Sequence, residues 1–282
     1  MLRTLAPTRR LASLLLLTSL ACDARVEPQA AASAPRSDPT PVGAPAPTKP
    51  VATVAPAPPR DVAFLEFIHV PPGTPPAQAP APGDRLPMLI LIHGLGDRPE
   101  DFKHLIDDLP ATARVIVPRG LDPVDADGWS WFPIRARSND VAGLSQGIAA
   151  AADRLAALIA ELERTRPTSR RVVTGFSQGG MLSFALAVYH PKLLDLAVPV
   201  GGWLPPPLWP STLPASPPKI VALHGEIDVA VKLEPTREAV AHLEKLGWPV
   251  TLKPYPEVGH AIPPVIRREL YLQLQRGLEA SP

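Results

Sequence analysis

Seven short apolar runs, each closed by turn residues, set the tightest limit on how this chain can fold. VAFLEFIHV (62–70) reads as an edge strand, closed by Pro71-Pro72-Gly73. PMLILIH (87–93), RVIVP (114–118), RVVTGF (171–176), LAVPVGG (196–202), KIVALHG (219–225) and PVTLKPY (249–255) have the near-continuous hydrophobicity of strands buried on both faces. Helical patterns lie between most of them. They cover 98–109, the Ala-rich stretch from Asp140 to Arg164, the almost wholly apolar 181–190, then 234–247 and 262–277. Strands alternating with helices predict an α/β fold: a mainly parallel sheet with helices on both faces. In that architecture ligands bind at the carboxyl ends of the strands, which is where the chemistry should be sought.

The pattern starts late, and composition says why. Of 282 residues 40 are Pro, concentrated towards the N-terminus. Residues 23–60 hold ten prolines among Ala, Val, Thr and Ser, with no aromatic residue. A segment of this kind cannot bury enough surface to offset its ordering entropy and is expected to stay unfolded. As extended chain at about 3.1 Å per residue it would reach on the order of 100 Å, the dimension of a spacer. Before it, Arg9 and Arg10 precede the apolar run Leu11–Leu20, which ends in Ala21-Cys22. The run is too short to span a bilayer as a helix and suits an export signal. Its end resembles a bacterial lipobox, whose cysteine is lipidated and becomes the first mature residue. Ser19 departs from the aliphatic residue usual there. The expected organisation is a signal peptide over 1–21, a disordered tether over 22–60 and a catalytic domain over 61–282. It implies export and a lipid anchor at Cys22 in the cell-envelope membrane; a soluble secreted or periplasmic protein is the alternative.

A formal charge of +1 with 5% aromatic residues leaves no basic footprint for nucleic acid. One cysteine rules out an intramolecular disulfide, a Cys-based zinc site and an iron–sulfur cluster. No metal or other cofactor is called for.

The sharpest motif is Gly175-Phe176-Ser177-Gln178-Gly179-Gly180, which follows a strand and opens a helix. G-x-S-x-G alone is weak. At a strand-to-helix corner it gains meaning, because a serine there projects from the sheet edge on a strained backbone that flanking glycines make room for. Serine needs a base to take its proton. Of seven histidines, His260 lies on the loop after the last strand, where an imidazole can reach across to Ser177. His93 and His224 end strands but belong to Gly-containing turns. The imidazole in turn needs an acid, and His224-Gly225-Glu226-Ile227-Asp228 supplies two carboxylates, of which Asp228 is the choice and Glu226 the fallback. The order Ser177, Asp228, His260 is that of the α/β-hydrolases. In the turn His93-Gly94-Leu95-Gly96-Asp97 the Leu95 N–H is a natural oxyanion donor, and the N–H of Gln178 is the second.

Together, HGLGD, GFSQGG, HGEIDVAV and VGH resemble the phospholipase/carboxylesterase family of α/β-hydrolases, which includes the acyl-protein thioesterases. Trp131-Phe132 and the approach to the long Ala-rich helix, Asn139-Asp140 with Gly143, are similar as well. The resemblance covers nearly all of 60–282. It implies an α/β-hydrolase fold with Ser177 as nucleophile, Asp228 as acid, His260 as base and the Leu95 and Gln178 amides as oxyanion donors. The implied partner is a small-molecule ester or thioester. Trp131 is a candidate for lining the substrate site, with a core aromatic as the other reading. Trp203 and Leu204, at the start of the Pro-rich WLPPPLWPSTLPASPP (203–218), are candidates too, with a stiff surface loop whose tryptophans pack on the domain as the other reading. The expectation is an exported serine carboxylesterase or thioesterase working through an acyl-enzyme. A lysophospholipase and a feruloyl or polyester esterase are alternatives within the class. A prolyl-oligopeptidase-like peptidase fits less well, as no propeller-sized domain precedes the hydrolase. A surface lipoprotein using a hydrolase fold only for binding is the alternative of another class.

Overall fold

A computed structural model describes residues 62–279 except 79, 82, 125–127 and 167. The signal, tether and Cys22 expectations lie outside the described residues. Among the described residues nine strands are formed: β1 Phe64–His69, β2 Met88–Ile92, β3 Ala113–Pro118, β4 Asp122–Val124, β5 Gly128–Ser130, β6 Arg171–Phe176, β7 Leu196–Val200, β8 Lys219–Gly225 and β9 Val250–Tyr255. Seven of them make one sheet in the order β1-β3-β2-β6-β7-β8-β9. Only β1 runs antiparallel to its neighbour; the other five pairings are parallel.

The register divides the strands' side chains between two cores. Met88, Ile90 and Ile92 of β2 enter one cluster, while Leu89 and Leu91 enter the other. Both sets are fully buried, so each side chain contributes about 1.5–3 kcal/mol. The first cluster is covered by α2 Val141–Thr165, α3 Gln178–Tyr189 and α4 Leu233–Lys245; the second by α1 Pro99–Phe102 and α5 Pro264–Glu279. In α2 the residues Leu144, Ile148, Ala151, Leu155, Ile159 and Leu162 recur at helical spacing on one buried face, and Asp140 caps the helix by accepting from the Gly143 N–H at 2.8 Å. The almost continuous apolarity of α3 follows from its position, since the sheet lies on one side and α2 on the other.

One expectation needs correction, and one element was not anticipated. Residues 98–109 form the single turn α1 followed by a 3-10 turn, Lys103–Ile106, in place of one amphipathic helix. Phe102, Leu105, Ile106 and Leu109 reach the core either way, so their spacing does not choose between the two geometries. The β4–β5 hairpin belongs to none of the apolar runs, since Pro123 and Gly128 interrupt any strand pattern. It is tied to the turn after β2: Gly96 N–H donates to Trp129 O at 2.9 Å and Trp129 N–H to Asp97 O at 3.1 Å.

Candidate active site

The residues singled out at the ends of β2, β6, β8 and β9 meet at the carboxyl edge of the sheet. Ser177 leaves β6 with φ 56° and ψ −113° and caps α3. A non-glycine residue held there stores about 1–3 kcal/mol of strain. The surroundings enforce it. A side chain on Gly179 would run into the Ile92 carbonyl, and one on Gly175 would lie 2.5 Å from the Gly179 carbonyl oxygen. The Ser177 N–H is spent on Val200 O at 3.0 Å.

His260 connects two groups that are remote in sequence. Its Nε2 is 2.9 Å from Ser177 Oγ, and its Nδ1 is 2.7 Å from Asp228 Oδ2. The carboxylate can only accept, so Nδ1 carries the proton and the Nε2 lone pair faces the serine O–H. The ring lies on Phe176, with centroids 4.6 Å apart. The loops bearing Asp228 and His260 are stitched together by Glu226 N–H to Tyr255 O and Ile227 N–H to Val258 O, 2.9 and 3.1 Å. Their approach at Gly225 leaves no room for a side chain, because a Cβ there would strike the Val258 carbonyl.

The Asp228 side chain is 1% exposed. Burial alone would raise its pKa. The hydrogen bond from His260 and those from the Val231 and Ala230 amides outweigh burial and hold the carboxyl below its usual value. Glu226, the fallback, is exposed and has its carboxylate 3.9 Å from Arg237, with no contact to His260. His224 sits 3.6 Å from Asp228, yet burial pushes its pKa down and its Nε2–H donates to Val231 O at 2.8 Å, so it braces the loop as a neutral ring. His93 is pushed down by burial too. Its Nε2 accepts from the Gly120 amide at 3.0 Å and its Nδ1–H donates to Gly94 O at 2.7 Å, which pins the turn carrying Leu95.

Leu95, Ser177, Gln178 and His260 line one cavity of about 240 Å³. The amides of Leu95 and Gln178 enter none of the hydrogen bonds among the described residues. The Gln178 side chain turns the other way: Nε2 donates to Phe132 O at 2.8 Å, and Oε1 accepts from the Trp131 amide at 3.0 Å. It thereby ties the serine corner to the segment after β5, a role that sequence reasoning missed.

Trp131 is 2% exposed, packs against His93 and donates its indole N–H to His93 O at 3.0 Å; it is core and lines no part of the cavity. Leu204 is fully buried, which removes it from the substrate wall. Trp203, 9% exposed, lines an adjoining lobe of about 200 Å³. The cavity wall also contains Arg135, Ala136, Arg137, Met181, Ala230 and Val231, none of them singled out by sequence reasoning. The polar pair of arginines in 131–140, between two carboxyl-edge landmarks, was the available signal.

Such a chain of hydroxyl, imidazole and carboxylate can move a proton off the serine while the ring stays paired. Comparisons with known proteins bear on the family and the fold. A family model described as phospholipase/carboxylesterase matches residues 80–274. A probable inactive carboxylesterase of Oryza sativa subsp. japonica is 28% identical over 212 residues, 66% of this chain and 82% of its own length. Acyl-protein thioesterase 1 of Mycosarcoma maydis is 29% identical over 221 residues, 68% of this chain and 92% of its own. Among solved structures, that of esterase PE8 superimposes with a TM-score of 0.62 at 21% identity, over 77% of this chain and all of that one, a likeness of fold.

Proposed function

The chain belongs to the phospholipase/carboxylesterase family, and on that premise we propose that it is a serine hydrolase of small acyl esters or thioesters, with Ser177, His260 and Asp228 as its triad. The observation that carries the reading is the unbroken hydrogen-bond chain, 2.9 Å from Ser177 Oγ to His260 and 2.7 Å from His260 to Asp228.

In this mechanism Ser177 Oγ attacks the carbonyl carbon as His260 Nε2 takes its proton. The oxyanion accepts hydrogen bonds from the Leu95 and Gln178 amides, each donor of this kind lowering the barrier by roughly 3 kcal/mol. Asp228 stays ionised and steadies the imidazolium. The intermediate collapses as His260 protonates the departing alcohol or thiol, leaving an acyl-serine. Water, deprotonated by the same ring, then attacks the acyl group, and the acid leaves with Ser177 protonated again. A cavity of about 240 Å³ suits short acyl groups.

Hydrolysis of short p-nitrophenyl esters tests the reading, with Ser177→Ala expected to lower kcat by about 10³-fold or more. Equal rates in the two proteins would remove it. The Oryza sativa relative described as a probable inactive carboxylesterase supplies a second reading, a hydrolase fold kept for binding, and a parent protein without turnover would favour that.

The leader supports a further part of the proposal. Arg9, Arg10, the Leu11–Leu20 run and Cys22 support export and lipid anchoring in the cell envelope. Growth with a labelled fatty acid should label the protein, and Cys22→Ala should abolish the label; persistence of label in the variant would contradict the anchor.

A further inference from the structure

We propose that the cleft beside Ser177 selects esters that carry an anionic group, a carboxylate or phosphate, which Arg135 and Arg137 bind. This rests on the ester-hydrolase reading above and adds the substrate's charge to it.

The cleft has two lobes. The one containing Ser177 and His260 is walled by Arg135 and Arg137. The second shares Ala136, Arg137, Ala230 and Val231 with it and ends at Trp203 and Lys232. Among the described residues no Asp or Glu lines either lobe, so Arg135, Arg137 and Lys232 face the cleft with no countercharge in its described walls. Neither Arg135 nor Arg137 forms an ion pair or side-chain hydrogen bond among the described residues, whereas Arg114, Arg166, Arg170 and Arg171 all pair with carboxylates. Asp140, the acid next along the chain, is committed to capping α2.

The remaining walls explain why this matters. Ala136, Val141, Met181, Ala230 and Val231 are apolar, and the Ser138 hydroxyl and Trp203 indole are the uncharged polar side chains among the described walls of the second lobe. Apolar walls around charges of one sign focus the field into the cleft and raise the local concentration of an anion. The planar guanidinium matches the two oxygens of a carboxylate or phosphate, and such charge-assisted bonds are about twice as strong as neutral ones. The segment bearing the arginines is held at both ends, by Gln178 at Phe132 and by the Asp140 cap. It can therefore present them in a fixed place.

The test compares esters that differ only in charge. On the acyl side these are the p-nitrophenyl monoester of adipic acid and its methyl ester; on the alcohol side, 4-acetoxybenzoate and its methyl ester. For at least one pair, Arg135→Gln/Arg137→Gln should lower the charged-to-neutral ratio of kcat/KM about tenfold or more, a comparison in which intrinsic reactivity cancels. The side that responds tells where the anion sits. Ratios unmoved by the double variant, while the parent hydrolyses the esters and Ser177→Ala does not, overturn this inference alone. If the parent hydrolyses no ester, the reading beneath it fails instead. Calorimetry of adipate and of 4-hydroxybenzoate with the Ser177→Ala protein needs no turnover. At least one anion should bind, about tenfold more weakly once the arginines are replaced, and equal or absent binding overturns the inference.

Discussion

At the scale of single residues, the account turns on the orientation of one imidazole. Asp228 fixes it, because a buried carboxylate that can only accept leaves the Nε2 lone pair facing Ser177. Asp228→Asn would place an amide N–H against Nδ1 and turn the ring to the wrong tautomer. The expected result is a fall in kcat of about 10⁴-fold with little change in the unfolding transition; steady-state kinetics beside thermal denaturation checks both halves. Ser177 carries a second expectation. Glycine tolerates φ 56° and alanine does not, so Ser177→Gly should be more stable than Ser177→Ala by about 1 kcal/mol in urea denaturation, with both inactive. At this scale the sequence was informative wherever chemistry demands a residue type at a strand end, as for Ser177, Asp228 and His260. It was uninformative for Trp131 and Leu204. An apolar side chain near a site reads the same whether it faces substrate or core, and only its burial in the folded chain separates the two.

Among elements, the strands were legible because burial on both faces leaves no alternative to near-continuous apolarity. The ends of β6 and β8 coincide with the runs read from sequence. The β4–β5 hairpin and the turn α1 were not legible. Both are stabilised by contacts to other segments, Gly96 with Trp129 in one case and the second apolar cluster in the other, and carry little periodicity of their own. The edge strand β1 is joined to its neighbours by charge as well as by hydrogen bonds. Glu66 takes Arg114 of β3 at 2.7 Å and Arg166, just past α2, at 2.7 Å. Burial alone would raise its pKa, but the two guanidiniums outweigh burial and lower it. A carboxylate with a depressed folded pKa stabilises above its unfolded value, about 4.3, and that stability is lost as pH falls through the folded value. Glu66→Gln should therefore cost about 1 kcal/mol at pH 7. The difference from the parent should shrink on acidification below about pH 4. Denaturation curves at the two pH values would show it, and a gap that widened in acid would refute the sign.

For the whole molecule, the sheet order places three widely separated segments at one edge, so the proposed proton relay is a product of topology. That convergence could be anticipated from the order of strands, since every candidate followed a strand's carboxyl end. The chemistry of the cleft wall could not, because Arg135 and Arg137 sit in an irregular segment whose neighbours in space come from α3 and the β8–α4 connection. The most direct measurement of the central claim is labelling by a fluorophosphonate probe with the modified residue located by peptide mass spectrometry. A single adduct on Ser177 is expected in the parent protein, with strongly slowed labelling in His260→Ala and Asp228→Asn and none in Ser177→Ala. Adduct formation at another serine, or labelling of Ser177 at an undiminished rate without His260, would contradict it.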